Sequence, residues 1–409
     1  MEKLLPQRSS STVGTTTGAD AASPARVESI DLVRGLIIIL MALDHVRDFF
    51  GDLAVQPTNL AVTTAPLFFT RWITHLCAPV FFLLTGTGAY LTLRRMSKRR
   101  LSRFLLARGV WLIALEVVVM RLALQFNFDY RVTVLVVLWC LGWAMITLAG
   151  LVWLPAWAIA AFGVVMVAGH NLLDGVQASA FGALGPLWSI LHSPGVILDN
   201  RRSIVLVAYV LIPWVGVTAL GYVLGRAYRW GVERRRALLL GLGIGLSIGF
   251  VVLRFANVYG DPVAWSWQES PLWTLMSFLN ATKYPPSLLF LLMTLGPALL
   301  LLCVFENGAS RLLSPALIIG KVPLFFYILH FFLIHLLAVA ASYLRYGDAA
   351  GLFQSPDLAH YPFTQPPGWP APLPVVYLLW ALVVLALYPL CRWYAGVKRR
   401  RRAWWLSYL

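Results

Sequence analysis

The chain alternates long apolar stretches with short polar or Gly- and Pro-bearing joints. Stretches long enough to span a bilayer recur at about residues 33–50, 72–93, 103–124, 131–149, 151–169, 204–225, 237–256, 286–305, 317–344 and 374–395. A hydrocarbon core takes roughly 20 helical residues to cross, and helices satisfy their own backbone groups there. The pattern therefore predicts an all-α, polytopic membrane protein of about ten transmembrane helices. The fourth and fifth stretches meet at Ala149-Gly150-Leu151, which leaves room only for a tight turn.

Composition agrees, with 59% hydrophobic and 12% charged residues. A formal charge of +16 would suit a nucleic-acid partner, but the basic residues sit in short runs between apolar stretches. Runs at 94–100, 226–236 and 398–402 follow the second, sixth and tenth helices, so all three fall on one side. The positive-inside rule makes that side cytoplasmic, with both termini there. No nucleic acid is expected; the bilayer is the partner. Residues 1–26, rich in Ser, Thr, Ala and Gly, read as a disordered cytoplasmic tail. Residues 27–397 read as one membrane domain, and 398–409 as a basic cytoplasmic tail. The first apolar run starts late and contains Asp44, His45 and Arg47, which argues against a cleaved signal peptide.

Ionisable residues inside membrane helices are costly and mark functional paths. Arg34 and His45 are eleven residues apart in the first stretch. On a helix Arg34, Ile38, Met41 and His45 share one stripe, with its polar ends roughly 16 Å apart. That suits a long ligand with an anionic end and a reactive end, such as acyl-coenzyme A. Arg34 would hold phosphate, and His45 would take a proton from an attacking hydroxyl or amine. Asp44 points about 100° away from His45 and pairs with Arg47 unless the helix end is distorted. Arg71 and His75 lie one turn apart near the outer end of the second helix, which Pro79 can kink. His75 reads as a further polar contact in the catalytic group, and Arg71 as a contact to the acceptor.

Lys321 at the cytoplasmic mouth of the ninth helix could meet phosphate beside Arg34, with Tyr327 and His330 on one stripe of that helix. His330 and His335 diverge by about 140°, a poor metal pair. Cys77, Cys140, Cys303 and Cys391 lie singly in apolar stretches as packing residues, so no metal is expected. Lys283 at the outer end of the eighth helix is another candidate for acceptor binding. Trp265 and Trp267 in the outer loop 257–285 could stack on sugar rings, with interfacial anchoring as the plainer reading.

The segment Arg26-Val27-Glu28-Ser29-Ile30-Asp31-Leu32-Val33-Arg34-Gly35, running into Leu43-Asp44-His45, resembles the opening helix of the transmembrane acyltransferase superfamily. It is most similar to bacterial membrane proteins grouped with the heparan-alpha-glucosaminide N-acetyltransferase catalytic domain. Thr74–Phe81, Ile212–Gly216, Lys283–Ser287 and Val322–His330 resemble that group's recurring segments in order. The superfamily's Arg-x10-His motif falls on Arg34 and His45. The resemblance implies an enzyme of the bacterial cytoplasmic (inner) membrane, taking an acyl group from cytoplasmic acyl-coenzyme A. It would pass that group, acetyl above all, to a carbohydrate or glycolipid acceptor at the outer face. The sugar-amine branch carries an Asn at the position matching His45 and a His in the following loop. Residues 51–70 contain no His, which shifts the expected base to His45, as in the O-acetylating branch.

The rival reading is a transporter or flippase for a lipid-linked or anionic solute, using the same Arg and His. No internal repeat is evident, which weighs against it. A membrane scaffold leaves the polar stripe unexplained. Oligomeric state is left open.

Overall fold

A computed structural model describes residues 27–308, 310–401 and 406. The tail expected over residues 1–26 lies outside them, as does most of the expected tail beyond Arg401. The first stretch forms α1 (Glu28–Phe50), with Glu28 and Asp31 in its first turn and Arg47 in its last, charges that suit the helix dipole. The second divides into α2 (Ala65–Thr74) and α3 (Cys77–Leu93). Pro79 accounts for the break, because a proline ring collides with the carbonyl four residues earlier, here that of His75. The third run is continuous: α4 (Lys98–Ala114), a π-helical turn (Leu115–Met120) and α5 (Arg121–Gln125).

Two expected helices begin later than the hydropathy pattern suggests, because their leading residues are extended. Strands β1 (Val132–Leu135), β2 (Gly195–Asp199) and β3 (Ile204–Val207) form a small sheet in the order β1-β3-β2. β1 runs parallel to β3, pairing Val132 with Ile204, while β2 is antiparallel to β3. These runs are β-branched and short, which favours strand over helix. Helices α6 (Val137–Leu151) and α7 (Ala156–Ala168) meet through a turn ending on Pro155, slightly later than expected. Then come α8 (Gly185–Leu191), α9 (Leu211–Leu224), α10 (Val232–Ala256), α11 (Pro271–Leu279) and α12 (Leu288–Phe305). The ninth stretch also divides, into α13 (Ser314–Gly320) and α14 (Pro323–Tyr346), the latter opening on a proline whose φ suits a first turn. α15 (Leu373–Arg400) ends the described helices.

The protein is mostly helical, and among the described residues five helical runs are long and apolar enough to cross a bilayer: Ala65–Leu93, α10, α12, α14 and α15. α1 is the hub, packing against α2, α3, α12, α13, α14 and α15. Its Val33, Ile37, Ile38 and Val46 are fully buried. In the apolar window of α12 67% is buried, against 17% in α15, so α12 is interior and α15 presents its side chains outward.

α1 and α13 touch backbone to backbone. A Cβ on Gly35 would come within 1.8 Å of the Ala316 carbonyl oxygen, and one on Gly320 within 1.7 Å of that of Asp31. Only glycine permits this approach, which sets Lys321 beside the start of α1. The basic runs gather at that same end. Ser29 donates to Glu306 at 2.6 Å, and Glu306 also pairs with Arg235. Arg95 and Lys398 share a cavity with Arg34.

Candidate functional site

Two cavities lie along the α1 stripe. The first, about 500 Å³, opens at the basic end and is lined by Arg34, Arg95, Arg108, Lys321 and Lys398. Among the described residues no Asp or Glu belongs to its lining. Arg34 donates to Asp31 at 3.1 Å and toward the Gly320 carbonyl at 3.4 Å, which fixes its fork beside Lys321. Five cations from α1, the α3–α4 turn, α4, the α13–α14 joint and α15 make a bed for a polyanion, and arginine forks suit phosphate oxygens. Sequence reasoning named Arg34 and Lys321 and missed Arg95, Arg108 and Lys398. Arg95 and Lys398 lie in basic runs and looked like topology signals, while Arg108 stands inside the third apolar stretch.

The second cavity, about 620 Å³, lies at the other end of α1 and is lined by Asp44, His45, Asp48, Arg71, His75 and Lys283, among others. Here charges of both signs alternate. Asp44 pairs with Arg71 and accepts from Arg47 at 3.0 Å, as its direction on α1 anticipated. The acid facing His45 is therefore Asp48, whose Oδ2 lies 3.5 Å from His45 Nδ1. That separation is long for a hydrogen bond in the unliganded site, where such contacts commonly await substrate to tighten. The His45 ring also packs on Phe331 at 4.2 Å and near His330 at 5.3 Å. Asp48 escaped the sequence reading, although an i,i+3 spacing from His45 was the available signal.

His75 sits at the α2–α3 break, buried, with Nδ1 lacking a hydrogen-bond partner among the described residues. Its ring meets Phe290 edge-on at 5.2 Å. Lys283 Nζ lies 5.3 Å from the Tyr284 ring centroid, and both residues line the cavity. Burial pushes the hydroxyl of Tyr361, in the loop over the cavity, above its ordinary range, so it stays a donor.

Glu116 is a further lining residue that sequence reasoning passed over. It lies in the π-helical turn and accepts from the Leu138 and Trp139 amides at 2.9 and 3.3 Å, capping the start of α6. A single acid inside an apolar run was the signal; π-turns are often found at functional sites. The sheet feeds the same wall, since β1 leads into Val136 and β3 into Tyr209, both in the lining.

Met41, Phe81, Val137 and Tyr327 line both cavities, so they form the throat between them. Arg34 and Ile38 line one side, His45 the other, and Met41 both, which is the order of the helical stripe. His330 is buried behind the throat, its Nδ1 against the Phe326 carbonyl at 3.1 Å. His335 turns elsewhere, bonding the Ala123 and Leu352 carbonyls at 2.9 Å. Trp265 and Trp267 stand outside both linings: Trp265 packs on Phe278, and Trp267 is largely exposed. Their neighbour Val263 reaches the outer cavity.

Residues 26–244 match the family described as Heparan-alpha-glucosaminide N-acetyltransferase, catalytic, a span of more than half the chain. The chain belongs to that family. This family member is thus a membrane enzyme of acetyltransferase type. The matched span carries Arg34, His45, Asp48, Arg71 and His75, together with Arg95, Arg108 and Glu116. Lys283, Lys321, Tyr327 and His330 lie beyond it. No curated protein matches the chain.

Proposed function

We propose that the protein transfers an acyl group, acetyl above all, from cytoplasmic acyl-coenzyme A to a carbohydrate or similar acceptor at the outer face. The observation that supports this reading is the pair of cavities that adjoin at one throat, lined by five cations on one side and by His45 on the other. The gathering of the basic runs at the first cavity supports a cytoplasmic placement of that end. The transport alternative is set aside, because the family match is to a transferase catalytic domain.

In this mechanism Arg34, Arg95, Arg108, Lys321 and Lys398 hold the coenzyme phosphates. The pantetheine arm follows Ile38 and Met41, and the thioester reaches the throat. An acceptor hydroxyl or amine in the outer cavity attacks the thioester carbonyl as His45 takes its proton. Asp48 stabilises the imidazolium that forms. Tyr327 is placed to donate to the carbonyl oxygen as it gains charge. The carbon–sulfur bond then breaks, the coenzyme leaves as a thiolate that is reprotonated, and the acylated acceptor stays on the outer side. Arg71, His75 and Lys283 orient the acceptor, and Asp44 fixes Arg71.

Thermal unfolding with acetyl-coenzyme A tests the donor half. Stabilisation should vanish in Arg34→Ala and persist in His45→Ala, whose acetyl transfer should fall by about 10²-fold or more. Equal turnover by His45→Ala and wild type sinks the mechanism, and a well-folded wild type that acetyl-coenzyme A leaves unshifted sinks the donor site.

A further inference from the structure

We propose that His170, Asp174 and His192 form a binding site for one zinc ion, outside both cavities. His170 follows α7, and His192 caps the end of α8. Candidate ligand atoms of the three residues all lie within 4.8 Å of one another. Around a tetrahedral zinc such atoms stand about 3.3 Å apart, so the cluster has only to contract. Asp174, with 21% of its side chain exposed, has the freedom to do so.

Both imidazoles are 2% exposed. The His170 ring reaches only the Pro286 carbonyl, outside good hydrogen-bond geometry, and Asp174 Oδ1 has no hydrogen-bond partner among the described residues. A buried imidazole with at least one nitrogen unsatisfied is uncommon and calls for a ligand. His192 Nε2 lies 3.6 Å from Asp174 Oδ1 and 2.9 Å from the His170 carbonyl oxygen, a contact that an ion would replace. A plain His192–Asp174 pair would explain these two residues and leave the His170 ring with the Pro286 carbonyl alone.

Two imidazoles and one carboxylate are a zinc-type donor set, with a fourth position for water. Supporting contacts are in place. Asn171 donates to Asp174 Oδ2 at 2.8 Å, holding the carboxylate with Oδ1 unspent, and the Trp188 ring stacks on His192 at 5.2 Å. Asn171 Oδ1 also accepts from the Leu288 amide at 2.8 Å, at the start of α12. The residues just before Leu288 include Lys283 and Tyr284 of the outer cavity. The ion would brace that rim without entering the chemistry. The sequence expectation of no metal rested on His330, His335 and isolated cysteines; this cluster is assembled by the folding of a loop.

The test takes the full-length protein in detergent, strips it with a chelator and titrates it with zinc chloride alone. Wild type should retain about one zinc per chain after desalting and unfold about 3–6 °C higher at saturating zinc. Cobalt in its place should give the visible bands of a tetrahedral site. His170→Asn and Asp174→Asn should lose both the stoichiometric metal and the shift. If His170→Asn fails to fold, the half-buried Asp174→Asn decides. Folded wild type that binds no zinc overturns the proposal, as does wild-type zinc retention in Asp174→Asn.

Discussion

Asp44 and Asp48 lie one helical turn apart on α1, share Arg47, and each has a further partner of its own. Asp44 neutralises the buried Arg71, whereas Asp48, besides accepting from Arg47 at 2.7 Å, faces His45 at the cavity wall. Their replacements should therefore fail in different ways. Asp44→Ala leaves the buried Arg71 guanidinium without its acid, and should destabilise by about 3 kcal/mol or more, read as a lower unfolding midpoint in detergent. Asp48→Asn should keep the unfolding midpoint and the response to acetyl-coenzyme A, yet slow turnover by about tenfold or more. A normal rate in Asp48→Asn would remove it from the mechanism. The sequence made Asp44 conspicuous because it adjoins His45, but adjacency on a helix turns side chains apart and three-residue spacing brings them together.

Among the elements, hydropathy located the cores of the apolar runs and missed what happens at their ends. Strands β1 and β3 abut helical apolar runs, so a long averaging window merged Val132–Leu135 with α6 and Ile204–Val207 with α9. Local chemistry held the signal, in β-branched residues and in Asn200, whose side chain accepts from the Arg202 and Ser203 amides in the β2–β3 turn. The breaks at His75 and Lys321 were legible as Pro79 and Pro323. Partner helices were not: nothing in the sequence pairs Gly35 with Ala316, although the two helices meet there. Gly320→Ala should push α13 off α1, lower the unfolding midpoint and weaken the acetyl-coenzyme A response, since Arg34 and Lys321 sit on the two sides of that contact. Overpacking of this kind costs about 1–3 kcal/mol or more. Gly245→Ala on α10, where an added Cβ meets nothing within 4 Å, should leave both readings unchanged.

At the scale of the whole molecule, the cationic cavity draws its five charges from five parts of the chain, which is why sequence reasoning found only Arg34 and Lys321. Charges so dispersed should act through KM for the donor. Arg95→Ala and Arg108→Ala should each raise it by about five-fold with little change in kcat, and the rise should shrink at high ionic strength. Steady-state rates over a range of acetyl-coenzyme A concentrations check this, and a kcat effect alone would contradict it. The throat of Met41, Phe81, Val137 and Tyr327 carries a consequence for the order of events. In the proposed mechanism donor and acceptor approach it from opposite faces, so neither has to vacate a shared doorway before the other arrives. Kinetics should show a ternary complex in which free coenzyme competes with the donor and leaves acceptor saturation untouched. In sealed vesicles that competition should come from one compartment only, so the sidedness of inhibition reports the orientation of every molecule in the membrane.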